Sequence, residues 1–61
     1  MTPTELRRAL GMTQERFARE VGCSVHTVRK WDQGITTPTT LAYVVRLAQL
    51  ERGLAKQGKE T

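Results

Sequence analysis

Residues 14–34 read QERFAREVGCSVHTVRKWDQG, and the placing of apolar residues in this stretch decides the fold. Phe17, Ala18 and Val21 fall on one face of a helix, and Val28 and Trp31 share a face three residues apart. Between them stands Gly22, which can enter the left-handed conformation that a helix end followed by a sharp turn requires. Ser24 then supplies a hydroxyl of the kind that caps a helix N-terminus. The stretch is expected to form one helix over Gln14–Val21, a turn at Gly22, and a second helix from Ser24 to near Asp32. Ala18 is small where two crossing helices approach closely. Val25, Thr27 and Val28 are β-branched and weak helix formers, so the cap and the packing of Val28 and Trp31 must hold the second of these helices. Ser24, His26, Thr27, Arg29 and Lys30 are left outward, a polar and basic face suited to something negative.

The flanks extend the same pattern. Thr2, Pro3 and Glu5 have the spacing of a capping box with proline in the first turn, which predicts a helix running through Leu10 and stopped by Gly11. Met12 precedes the Thr13 cap and is placed to pack back on Phe17 as a hydrophobic staple. After Gln33-Gly34, the stretch Ile35-Thr36-Thr37-Pro38 is a loop, with Thr37 held extended by the proline. Thr39 or Thr40 is expected to cap a fourth helix from Leu41 to about Arg52 or beyond. That helix carries two apolar stripes. Leu41, Val44, Val45 and Ala48 make one, expected to face the core; Leu47, Leu50 and Leu54 make the other, expected to be a dimer contact. The expected domain spans residues 1–55, followed by a disordered polar tail over 56–61, KQGKET.

Composition bounds the function. The chain has 61 residues, room for one domain with a small core, and oligomerisation is a common remedy for a small core. One cysteine, Cys23, allows no intrachain disulfide, and no apolar run is long enough to span a membrane, so a cytoplasmic protein is expected. Ten basic against six acidic residues leave a net charge of +4, which favours a polyanion partner. Cys23 and His26 stand three apart, but two ligands do not make a structural metal site, and neither metal nor cofactor is expected. There is no nucleophile–histidine–acid set and no phosphate-binding glycine loop, so the chain is not expected to be an enzyme.

Thr13-Gln14, Phe17-Ala18, Val21-Gly22, Ser24, Thr27-Val28 and Trp31-Asp32-Gln33-Gly34, followed by Pro38, together resemble the Cro- and lambda-repressor-like (XRE) helix-turn-helix family over roughly residues 3–50. The resemblance implies an all-α, four-helix lambda-repressor-like bundle, with room for little more than a further helical turn, and the helix-turn-helix in helices 2 and 3. It implies double-stranded DNA as partner, read in the major groove, usually by a two-fold homodimer. Ser24, Val25, His26, Arg29 and Lys30 then become the expected base-reading residues, Val25 through a thymine methyl. Thr13, Gln14, Thr27, Gln33, Thr36 and Thr37 become expected phosphate contacts, Gln14 aided by the positive end of its helix. The resemblance also implies a structural ion pair between Arg7 and Asp32, whose loss would cost about 3 kcal/mol.

The expected function is a small homodimeric repressor that occludes a palindromic operator. Two alternatives stand beside it: an antitoxin-type or anti-factor module that binds a toxin or other protein through the Leu47–Leu50–Leu54 stripe as well as DNA, and a basic helix that binds nucleic acid without sequence preference.

Overall fold

The computed structural model describes residues 2–59, with side chains over residues 2–55. Four helices follow one another: α1 (Pro3–Leu10), α2 (Gln14–Val21), α3 (Val25–Asp32) and α4 (Leu41–Lys59). No strand occurs among the described residues, and the fold is all-α. The first three helices are each opened by a hydroxyl. Thr2 Oγ1 accepts from the Glu5 amide at 3.2 Å while Glu5 Oε1 accepts from the Thr2 amide at 2.9 Å, closing the capping box. Thr13 Oγ1 accepts from the Arg16 amide, and Ser24 Oγ from the Thr27 amide. These caps satisfy amides that no helical carbonyl can reach.

α2 ends at Gly22, whose φ of 89° is in the left-handed region. The Gly22 and Cys23 amides both return to the Ala18 carbonyl, at 2.8 and 2.9 Å, so the turn is closed before Ser24 starts α3. The core is built around this corner. Leu6, Phe17, Ala18, Val21, Val28 and Trp31 are the buried apolar residues, with Phe17 fully enclosed. α3 packs on α1 and α2, and α4 lies across α1 and α2.

The structure reverses the expected orientation of α4. Leu47, Leu50 and Leu54, expected as a dimer contact, pack against the core, joined by Tyr43. Leu41, Val44 and Val45, expected to be core, are exposed, and so is Ala48. The reason is steric and periodic. Tyr43, Leu47, Leu50 and Leu54 recur at intervals of four, three and four, a longer stripe of larger side chains than the valines and alanine can offer. Leu47, Leu50 and Leu54 are each half-buried in this placement. Tyr43 meets Trp31 edge to face, ring centroids 6.1 Å apart at 70°. Thr40 opens α4 through its carbonyl, which accepts from the Tyr43 and Val44 amides. α4 reaches Lys59 and so takes in the backbone of the first four residues of the expected tail; Glu60 and Thr61 lie outside the described residues.

Candidate nucleic-acid interface

The α3 sequence divides its eight residues between two sides. Val28 and Trp31 are buried and fix the inner face, which leaves His26, Arg29 and Lys30 exposed on the outer one. None of these three takes part in an ion pair among the described residues, so their donors are open to a ligand. Arg29 and Lys30 also sit in the last turn of α3, where positive charge complements the helix dipole. Ser24 and Thr27 are engaged with each other: besides the cap, their hydroxyls lie 3.0 Å apart. Val25 is half-buried against the core rather than fully outward. Of the five residues expected to read bases, the structure therefore puts three fully on the outer face, one on the cap and one on the flank.

The residues expected at phosphates are more dispersed. Thr13 is exposed and caps α2. Gln33, Thr36 and Thr37 are exposed in the connection between α3 and α4. Gln14 is half-buried, and its Nε2 donates to Asp32 Oδ2 at 2.7 Å. One amide proton of Gln14 is thus engaged, and the second remains for another acceptor.

Asp32 is where three helices meet. Its Oδ1 accepts from Thr4 Oγ1 at 2.6 Å, and its Oδ2 accepts from Gln14 and lies 3.4 Å from Arg7 Nη2. Arg7 also donates from Nη1 to the Met12 carbonyl at 3.0 Å. The ion-pair side chains retain only 18% and 15% of their exposure, for Arg7 and Asp32 respectively. Burial raises the Asp32 carboxyl, but the hydrogen bonds from Thr4 and Gln14 and the charges of Arg7 and Arg8 outweigh it, leaving the pKa below the ordinary aspartate value. This carboxylate ties the C-terminus of α3 to α1 and to the first turn of α2, and so sets how the outer face of α3 is presented.

Two members of this framework escape a reading of the chain alone. Thr4 stands three residues before Arg7 on α1, so their shared face was the available signal. Arg46 on α4 donates from Nε to the Glu20 carbonyl at 2.7 Å, with Nη2 3.8 Å from Glu20 Oε1. That clamp joins residues 26 apart, and nothing local announces it. Cys23 is half-buried at the turn, and burial pushes its thiol pKa up, which keeps it protonated and poorly nucleophilic. Among the described residues no cluster of potential ligands could hold a metal ion, and no helix is long and apolar enough to cross a membrane.

Comparison with curated proteins and with solved structures gave no match. The family model described as a helix-turn-helix domain matches residues 4–54, which takes in all of α1 but its first residue, α2, α3 and most of α4. With two capped helices crossing at a left-handed glycine and a basic outer face on the second, the chain belongs to the helix-turn-helix domain family, in keeping with the Cro- and lambda-repressor-like pattern of its residues, and its family points to DNA as the partner.

Proposed function

We propose that the protein is a sequence-specific transcriptional regulator, a homodimeric cytoplasmic repressor that occludes a palindromic operator. The observation that carries this reading is the division of α3, with Val28 and Trp31 anchoring it and His26, Arg29 and Lys30 exposed along its outer side. α3 enters the major groove, and a two-fold pair of such helices reaches successive grooves about 34 Å apart on one side of the duplex. His26, with Ser24 and the flank of Val25, meets base edges at the front of the helix. Arg29 and Lys30 supply the cationic donors that pair with guanine O6 and N7 or with phosphate. Thr13, Thr27, Gln33, Thr36 and Thr37, with the second amide proton of Gln14, grip the backbone on either side.

In vitro selection of bound DNA from a random pool tests this directly. A two-fold repeated sequence should emerge, and at fixed salt it should outcompete random DNA by at least ~10³. Equal competition by random DNA would leave only a non-specific basic helix. Arg29→Ala and Lys30→Ala should each weaken binding by about 1–3 kcal/mol, and the one that reads a base should also relax preference at one position of each half-site. Unchanged binding in both variants would remove α3 as the reader.

A further inference from the structure

The connection between α3 and α4 reads Ile35-Thr36-Thr37-Pro38-Thr39-Thr40, with four threonines around one proline. All four threonines are exposed, and among the described residues their hydroxyls have no hydrogen-bond partner. The hydroxyls of Thr2, Thr4, Thr13, Ser24 and Thr27 are each engaged in a cap or a pair. Residues 36–39 also take no part in backbone–backbone hydrogen bonds among the described residues, so this stretch can be drawn into another protein's cleft without breaking a helix. Pro38 keeps Thr37 extended, which lays the chain out on either side of its hydroxyl. The loop borders α3, for Thr36 and Thr37 share a concavity of about 260 Å³ with Thr27 and Trp31. No acidic residue occurs from Gln33 to Leu50. A new negative charge here therefore meets no like charge along this stretch, and it lies close to the positive end of the 19-residue α4.

We propose that Thr37 is a phosphoacceptor, and that its phosphorylation releases the chain from DNA. Thr37 Oγ1 attacks the γ-phosphorus of a nucleoside triphosphate held by a protein kinase. The bond from that phosphorus to its bridging oxygen breaks, the hydroxyl proton passes to a base of the kinase, and the nucleoside diphosphate leaves. Thr40 is a poorer acceptor, because its carbonyl holds the Tyr43 and Val44 amides and drawing it out would unwind the start of α4. Thr36 and Thr39 lack the extended geometry that the following proline imposes on Thr37. The phosphoryl group adds a charge of about −1.5 to −2, which takes the chain from +4 to about +2. It adds that charge at a hydroxyl that otherwise donates to a DNA phosphate, so a contact becomes a repulsion between two anions. The release from DNA rests on the DNA-binding reading; the acceptor site does not.

Mass spectrometry of the full chain recovered from the cells that make it, in growth and in starvation, tests the site. A fraction should carry one phosphoryl group, mapped to Thr37 by fragmentation. Chain without phosphothreonine in both conditions overturns the proposal, and so does a phosphate mapped only to other residues. The consequence is tested with the 61-residue chain assembled by chemical synthesis with phosphothreonine at position 37. On a selected operator it should bind ~10-fold or more weaker than the unmodified chain at about 50 mM salt, and the gap should narrow at about 500 mM as the repulsion is screened. Thr37→Val removes the hydroxyl without adding charge, so it should weaken binding less, and by a factor that does not change with salt. Equal affinity of the two synthetic chains at low salt overturns the release. A loss that is the same at every salt concentration also overturns it, since that would be structural. Phosphothreonine at 37 in a chain for which selection yields no operator keeps the acceptor site and removes the DNA reading.

Discussion

Asp32 ties three helices together through one carboxylate. It receives Thr4 and Arg7 from α1 and Gln14 from α2, and it closes α3. Its pKa is lowered in the folded state, so the proton binds the unfolded chain more readily than the folded one. The stability this contributes is complete above the unfolded aspartate value, near pH 4, and is lost as the pH falls through the folded value. Glu5 acts in the same direction, since its hydrogen bonds to the Thr2 amide and hydroxyl favour the charged form. Wild-type stability should therefore be flat from pH 7 to about 5 and fall below about 4. Asp32→Asn keeps the shape and removes the charge, and should cost about 2–3 kcal/mol at pH 7 by leaving Arg7 without its partner. Urea midpoints measured against pH should show the two proteins converging as acid protonates Asp32. A gap that stays constant down to pH ~2 would mean that the carboxylate charge does not matter there.

At the scale of the helices, the orientation of α4 is the feature that mutation can settle most cleanly. Leu50 packs on the core and Leu41 is largely exposed, though the two are chemically identical. Leu50→Ala should destabilise by about 1–3 kcal/mol, less than a fully enclosed leucine because it is only half-buried. Leu41→Ala should stay within about 0.5 kcal/mol. Thermal melts separate the two readily, since 1 kcal/mol moves the midpoint of a chain this small by roughly 4–8 °C. The reverse order would restore the face that periodicity first suggested. The contrast with α1–α3 shows which features were legible in the chain. Thr2, Thr13, Ser24, Gly11 and Gly22 act within a few residues of themselves, so the three helices and their turns could be read from sequence. α4 carries two apolar stripes, and choosing between them requires knowing what lies across from it. Tyr43 extends the leucine stripe by a full turn, and that was the signal available. In the candidate site, the exposure of His26, Arg29 and Lys30 follows from the burial of Val28 and Trp31, which local spacing revealed. The engagement of Gln14 with Asp32 crosses 18 residues and the Arg46 clamp crosses 26, distances at which spacing carries no information.

For the whole molecule, the arrangement of charge predicts how DNA binding depends on salt. The net charge is +4, but the cations are not equivalent. Arg7 is paired with Asp32 and Arg46 with Glu20, and both serve the scaffold. Arg29 and Lys30 are the cations on the outer face of α3. The proposed backbone grips, Thr13, Gln14, Thr27, Gln33, Thr36 and Thr37, are all neutral donors. A neutral donor holds a phosphate without displacing the counterion that accompanies it, so it adds affinity without adding salt dependence. Two cations per copy and two copies per operator set an upper bound, a slope of log K against log salt of about −4. Whichever of Arg29 and Lys30 pairs with phosphate should flatten that slope by about 2 when changed to alanine in both copies, while leaving sequence preference intact. The other should change preference and leave the slope nearly as it was. Fluorescence anisotropy titrations on a selected operator, repeated across a range of salt, give both quantities at once. A slope steeper than about −6 would place further arginines at the backbone, with Arg8, Arg16 and Arg19 as the exposed candidates on α1 and α2, and would shift the electrostatic footprint from α3 to the whole front of the bundle.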